Sequence, residues 1–317
     1  MGRSNSSLED CNPNSAGQIH HKRVIIQNKY KENLVGILHE TDSKEVVIVC
    51  HGFRSCKDRI PMVNLAAAFA NEGISAFRFD FAGNGDSEGS FQYGNYYREV
   101  DDLRSVMQYF EQEERLVTAI IGHSKGLFFV FSESSSIFLL YIKSCYIELL
   151  IRKLFVGGNV VLFYASRFKD VDNVVNISGR FDLRRGIEGR LGKDYLKRIK
   201  QYGFIDVANR KGNIEYRVTE ESLMDRLTTN TSAACQLIPQ TCRVLTIHGS
   251  GDKIVPAEDA MEFAKHIFNH KLHIIEGADH EYTSHQNELS SVVLNFVQSG
   301  SSHDNAQSEN KSRRSFL

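Results

Sequence analysis

Three residues of complementary chemistry stand apart in the chain. Ser124 lies between glycines in GHSKG (122–126), Asp252 lies in HGSGDKIVP (248–256), and His280 lies in EGADHEY (276–282). A serine hydroxyl is a weak nucleophile until a base removes its proton, and an imidazole serves best when a carboxylate holds it in one tautomer. Together they predict acyl transfer, with Ser124 as nucleophile, His280 as general base and acid, and Asp252 as the orienting acid. Asp279, next to His280, is the second choice for that acid, because neighbouring side chains on a tight loop rarely face each other. The developing oxyanion needs two backbone N–H donors. One should be Lys125, directly after the nucleophile, and the other Phe53 in HGF (51–53). The Lys125 side chain is not expected to act as a base, since adjacent residues on a tight turn point apart.

Such residues work only if rigid elements deliver them to one place. GHSKG closes the apolar run LVTAIIGHS (116–124), so it reads as a nucleophile elbow, a sharp strand-to-helix turn that strains the serine backbone and needs small flanking residues. Strand patterns also cover 46–51, 74–81, 171–178, 243–249 and 271–276, with amphipathic helical stretches near 60–72, 97–112, 256–268 and 281–297. This alternation predicts βαβ units and a mostly parallel sheet covered on both faces, with an antiparallel pair (23–28 and 34–40) leading it. Asp252 and His280 then follow strand ends, in the chain order Ser, Asp, His. Residues 179–240 are charged, loop-rich and helical, which suits a small helical cap over the sheet edge.

HGF, FRFDFAGNGDSEGSF (77–91), GHSKG, GDKIVP (251–256) and GADHEY (277–282) resemble the α/β-hydrolase superfamily. Within it the chain is similar to the serine-aminopeptidase-like and cinnamoyl or feruloyl esterase-like branch, in its plant-type intracellular members. The resemblance implies an α/β-hydrolase fold over about residues 22–297 and a cofactor-free serine hydrolase acting on a small or medium acyl or aryl ester. It implies Ser124, Asp252 and His280 as triad and Phe53 and Lys125 as oxyanion donors. A rival reading is a ligand-binding protein of the same fold with slow or no turnover.

Composition excludes several other classes. With 41% hydrophobic and 24% charged residues, the 317-residue chain is neither wholly disordered nor collagenous nor a multi-span membrane protein. Its 38 basic and 39 acidic residues leave no global field for nucleic acid or an anionic membrane. The glycines of FAGNGDSEG fail dinucleotide-site spacing, and no metal-ligand cluster is apparent; His20, His21, His266 and His270 are expected on solvated faces. Six cysteines without a CxxC pair, behind no signal-peptide pattern, predict a reducing, cytoplasmic setting. Residues 1–21 and 299–317 are polar and expected as disordered tails around a domain at 22–298.

One stretch breaks the pattern. Residues 127–157 (LFFVFSESSSIFLLYIKSCYIELLIRKLFVG) follow the elbow where a helix is expected, and deleting them restores GHSKGGNVVLFYAS. The insert holds 17 Phe, Leu, Ile or Val residues, all encoded with U at the second codon position, and no Ala, Asp, Asn, Pro, Thr, Gln or His. That bias points to translated noncoding sequence, a retained intron or a gene-model error, whose excision would rejoin one glycine codon in frame; an inactive splice or gene-model variant is therefore a further rival reading of the chain as written. Charges and serines interrupt every apolar run, so a stable membrane span is not expected.

Overall fold

A computed structural model describes residues 19–124, 158–209 and 211–314. The insert 127–157 and Lys125, expected as an oxyanion donor, lie outside the described residues. Eight strands form one sheet in the order β1-β2-β4-β3-β5-β6-β9-β10. They are β1 (His20–Gln27), β2 (Asn33–Glu40), β3 (Glu45–Cys50), β4 (Ser75–Phe79), β5 (Leu116–His123), β6 (Asn173–Ile177), β9 (Arg243–Gly249) and β10 (His270–Ile275). β2 pairs antiparallel with both β1 and β4, and all pairings from β4 to β10 are parallel.

The central strands are buried along most of their length, and their residues alternate between two cores. Val46, Ile48 and Cys50 face one side of β3 with Val174 of β6, while Val47, Val49, Val175 and Ile177 face the other. Continuous apolar runs of this kind are what a parallel sheet covered on both faces requires. On the first side pack α2 (Tyr96–Gln112) and α3 (Gly158–Phe168); on the second lie α1 (Ile60–Asn71) and the carboxyl-terminal helix α9 (Gln286–Arg314). α1 presents Met62, Leu65, Ala66 and Phe69 at helical spacing, and α9 presents Leu289, Val293, Phe296 and Val297. Each large side chain buried this way contributes about 1.5–3 kcal/mol.

The expected cap contains α4 (Ile187–Leu191), α5 (Tyr195–Tyr202), α6 (Glu220–Thr228) and α7 (Thr231–Leu237), but it is not purely helical. Between α5 and α6, β7 (Phe204–Ala208) and β8 (Ile214–Thr219) form a separate antiparallel pair. Tyr216 and Val218 of β8 face inward while their neighbours face out, a period of two that charged residues mask in the sequence. α8 (Glu258–His266) links β9 to β10.

Three other boundaries differ from expectation. β1 begins at His20, inside the segment expected as a tail. His270 begins β10 rather than lying on a solvated helix; its Nε2 is 2.8 Å from Thr246 Oγ1, and burial lowers its pKa to about 4. α9 continues through the polar residues after 298 to Arg314. Low apolar content argues against burial there, but not against lengthening a helix already nucleated, with no proline to stop it. Among the described residues, no helix is long and apolar enough to cross a membrane.

Candidate active site

β5, β9 and β10 run parallel, so their carboxyl ends share one edge of the sheet, and the three predicted residues follow those ends. Ser124 follows β5 with φ +53°, a left-handed conformation that is rare and strained for a residue with a side chain. Two backbone bonds hold it there: its N–H donates to the Ile177 carbonyl of β6 at 2.5 Å, and its carbonyl accepts from Gly158 N–H at 2.9 Å. Gly158 thus brings the start of α3 against the serine. A Cβ at Gly158 would stand 2.3 Å from Asn176 Oδ1, so only glycine permits that approach. The next residue, Asn159, clamps the loop after β6 reciprocally: its Nδ2 donates to Arg180 O at 2.6 Å, and its Oδ1 accepts from Arg180 N at 3.0 Å.

His280 and Asp252 complete a continuous chain. His280 Nε2 lies 2.6 Å from Ser124 Oγ, and Nδ1 lies 2.6 Å from Asp252 Oδ2. A carboxylate can only accept, so Nδ1 carries the proton and Nε2 is left to accept from the serine hydroxyl. Asp252 is fixed in turn, its Oδ1 accepting from Ile254 N–H at 2.8 Å and Val255 N–H at 2.9 Å. Burial alone would raise its pKa, but the His280 and His248 imidazoles outweigh that and hold the carboxyl well below its ordinary range. Asp279 is occupied elsewhere, accepting from Thr283 N–H at 2.8 Å.

Several supporting residues were not singled out in the sequence. His248, wholly buried in β9, places Nε2 3.3 Å from Asp252 Oδ2 and 2.9 Å from Val255 O, bracing the acid from behind. His123 donates Nε2–H to His280 O at 2.9 Å; burial, and then the nearby His280, lower its pKa to about 3, so it is neutral at working pH. Tyr282 anchors the His280 loop through Ser178 Oγ at 2.8 Å and Ile247 O at 3.3 Å. The signal for these residues was a polar side chain in or beside an apolar strand, which does not reveal its partner.

Phe53 stands in the loop after β3, and its ring is buried. His51 braces that loop, its Nε2 accepting from Phe81 N–H at 3.0 Å and its Nδ1–H donating to Gly52 O at 2.7 Å. Beneath it, Lys57 Nζ reaches Asp80 at 2.8 Å and Asp86 at 2.7 Å, while Lys57 N–H donates to Asp80 Oδ1 at 2.6 Å. The FAGNGDSEG segment is therefore a buttress for the loop. No group of three or more His, Cys, Asp or Glu placed to hold a metal ion occurs among the described residues.

Residues 41–132 match the family model described as serine aminopeptidase, S33. Est1E from Butyrivibrio proteoclasticus, solved with ferulic acid bound, is similar over 88% of this chain and 99% of its own, with a TM-score of 0.68 and 19% identity. The chain has the α/β-hydrolase fold. Further α/β hydrolases superpose comparably. The α/β hydrolase GrgF from a Penicillium species gives a TM-score of 0.67 at 19% identity over 89% of this chain and 99% of its own. Mouse α/β hydrolase domain-containing protein 10 gives 0.61 at 17% identity over 88% and 99%. In sequence, the uncharacterized protein YDL057W of Saccharomyces cerevisiae is 26% identical over 257 residues, 75% of this chain and 69% of that protein. In this fold, β2 is the reversed strand of the sheet, and the Ser124, Asp252 and His280 positions gather at one edge.

Proposed function

We propose that this α/β hydrolase is a serine hydrolase cleaving carboxylic esters of small or medium acyl or aryl groups, with Ser124, His280 and Asp252 as its triad. The observation that carries the reading is the pair of 2.6 Å contacts linking Ser124 Oγ to His280 and His280 to Asp252. In this reading Ser124 Oγ attacks the ester carbonyl while His280 Nε2 takes its proton. The imidazolium so formed is stabilised by the Asp252 carboxylate, and the oxyanion by the Phe53 and Lys125 amides. Collapse of the intermediate expels the alcohol, which receives the proton from His280. Water, deprotonated by the same imidazole, then releases the acid and restores Ser124.

An aryl group is supported by the ring cluster around Phe53. Phe91, Tyr93 and Tyr216 meet Phe53 edge-on with centroids 5.0, 5.9 and 6.1 Å away, and aromatic pairs favour such edge contacts. Est1E, of the same fold, carries ferulic acid. A cytoplasmic setting is part of the proposal and fits the free thiols of Cys50, Cys56, Cys235 and Cys242.

The test is steady-state hydrolysis of a p-nitrophenyl ester series by the wild type and Ser124→Ala. Multiple turnover is expected in the wild type, with kcat lower by about a millionfold in the variant. Saturable binding of the same esters without multiple turnover would instead favour the ligand-binding reading.

A further inference from the structure

The loop expected to donate Phe53 N–H is gripped from the cap as well as from the sheet, and Arg54 makes the grip. Arg54 Nη1 donates to Glu215 Oε2 and Nη2 donates to Glu215 O, both at 3.2 Å. The guanidinium lies 4.7 Å from the centre of the Tyr216 ring and 5.9 Å from that of Phe91. Glu215 and Tyr216 belong to β8, so one side chain joins the loop after β3 to the cap hairpin by an ion pair, a backbone acceptor and a cation–π contact. Tyr216 is itself held, its hydroxyl accepting from Arg190 and its ring stacked near Tyr93 with centroids 6.3 Å apart.

Arg54 also has φ +49°, and Ser55 N–H closes a turn onto Gly52 O at 3.2 Å. A long side chain tolerates that left-handed backbone only where its surroundings over-determine it. The conformation of Arg54 fixes the peptide plane between residues 53 and 54, one bond along from the Phe53 amide.

We propose that Arg54 is a positioning residue, which holds the Phe53 N–H at the oxyanion by clamping its loop to Glu215 and Tyr216 of the cap hairpin. The inference rests on the Ser124 esterase reading above. It makes the cap hairpin part of the catalytic geometry. Misplacing one donor should affect the transition state, where the oxyanion exists, more than substrate binding. The ion pair is partly solvated, with side-chain exposures of 29% and 26%, so its loss should change stability little.

The experiment compares wild type, Arg54→Ala, Arg54→Asn and Arg54→Lys in kcat, KM, thermal unfolding and inhibition by a trifluoromethyl ketone, whose serine adduct carries an oxyanion. Asn accepts the left-handed backbone but cannot span to β8, so it separates the clamp from the local strain. Arg54→Asn should lower kcat about tenfold and weaken the ketone in parallel, with KM within about twofold and the unfolding midpoint within about 2 °C. Arg54→Lys should recover part of kcat through the charge but not the forked contact. Unchanged kcat in Arg54→Asn, or a loss of kcat that tracks a large fall in the midpoint, would overturn the inference alone. Turnover in the wild type that does not depend on Ser124 would overturn the esterase reading and this inference with it.

Discussion

Gly158 N–H donates to the Ser124 carbonyl at 2.9 Å, although residues 125–157 lie between them in sequence. If 127–157 were absent, Gly158 would be the third residue after Ser124, where an N–H closes a helical turn onto that carbonyl. The helix behind Ser124 is thus made from chain on the far side of the insert.

The variant lacking 127–157 is therefore expected to fold as cooperatively as the full chain and to match or exceed its kcat. It should also be more soluble, since 17 large apolar residues are removed. Thermal unfolding, light scattering and ester turnover of the two proteins check this. A deletion variant that fails to fold would show that the insert is structural.

Asp252 holds His280 in one tautomer, and an amide in its place could present N–H to the imidazole instead. Asp252→Asn should lower kcat by about 10⁴ while circular dichroism stays unchanged. Because Asp252 is depressed well below the ordinary carboxylate range, it stays ionised through mildly acid pH, and the acid limb of the wild-type rate profile should not report its protonation.

The opposite case is Asp102, fully buried, which accepts from Asn28 Nδ2 at 2.8 Å and Ala82 N–H at 3.0 Å. Burial raises its pKa to about 6, so between pH 4 and 6 the folded state binds more protons than the unfolded chain. This group therefore adds stability as pH falls through that window and withdraws it as pH rises, by up to about 3 kcal/mol. Denaturant unfolding of wild type and Asp102→Asn across the window should differ in pH slope with that sign; parallel curves would contradict it.

Lys57 is 3% exposed and Asp80 is wholly buried, so removing only the cation strands a carboxylate. Lys57→Met should destabilise the protein by about 3–5 kcal/mol. Adding Asp80→Leu should restore part of that loss, which denaturant unfolding of the single and double variants measures.

Much of the sheet was legible because buried parallel strands are spelled as apolar runs, and β3, β5 and β9 are such runs. Ser124, Asp252 and His280 were legible because the glycine-rich turns that project them have local signatures. Their supports were not. Ser178 with Tyr282 and Asn159 with Arg180 are pairings between distant segments, and a histidine such as His248 within a strand says only that something polar is buried. The β7–β8 hairpin was missed because both strands are short, charged and half exposed.

The most direct measurement is fluorophosphonate labelling of the wild type, with the modified residue located by peptide mass spectrometry. The reagent favours a serine hydroxyl whose proton an imidazole can take, and His280 Nε2 lies 2.6 Å from Ser124 Oγ, so the expected result is one adduct, on Ser124, abolished in Ser124→Ala and strongly slowed in His280→Ala. An adduct on another residue, or labelling that survives in Ser124→Ala, would contradict the assignment of Ser124 as the nucleophile.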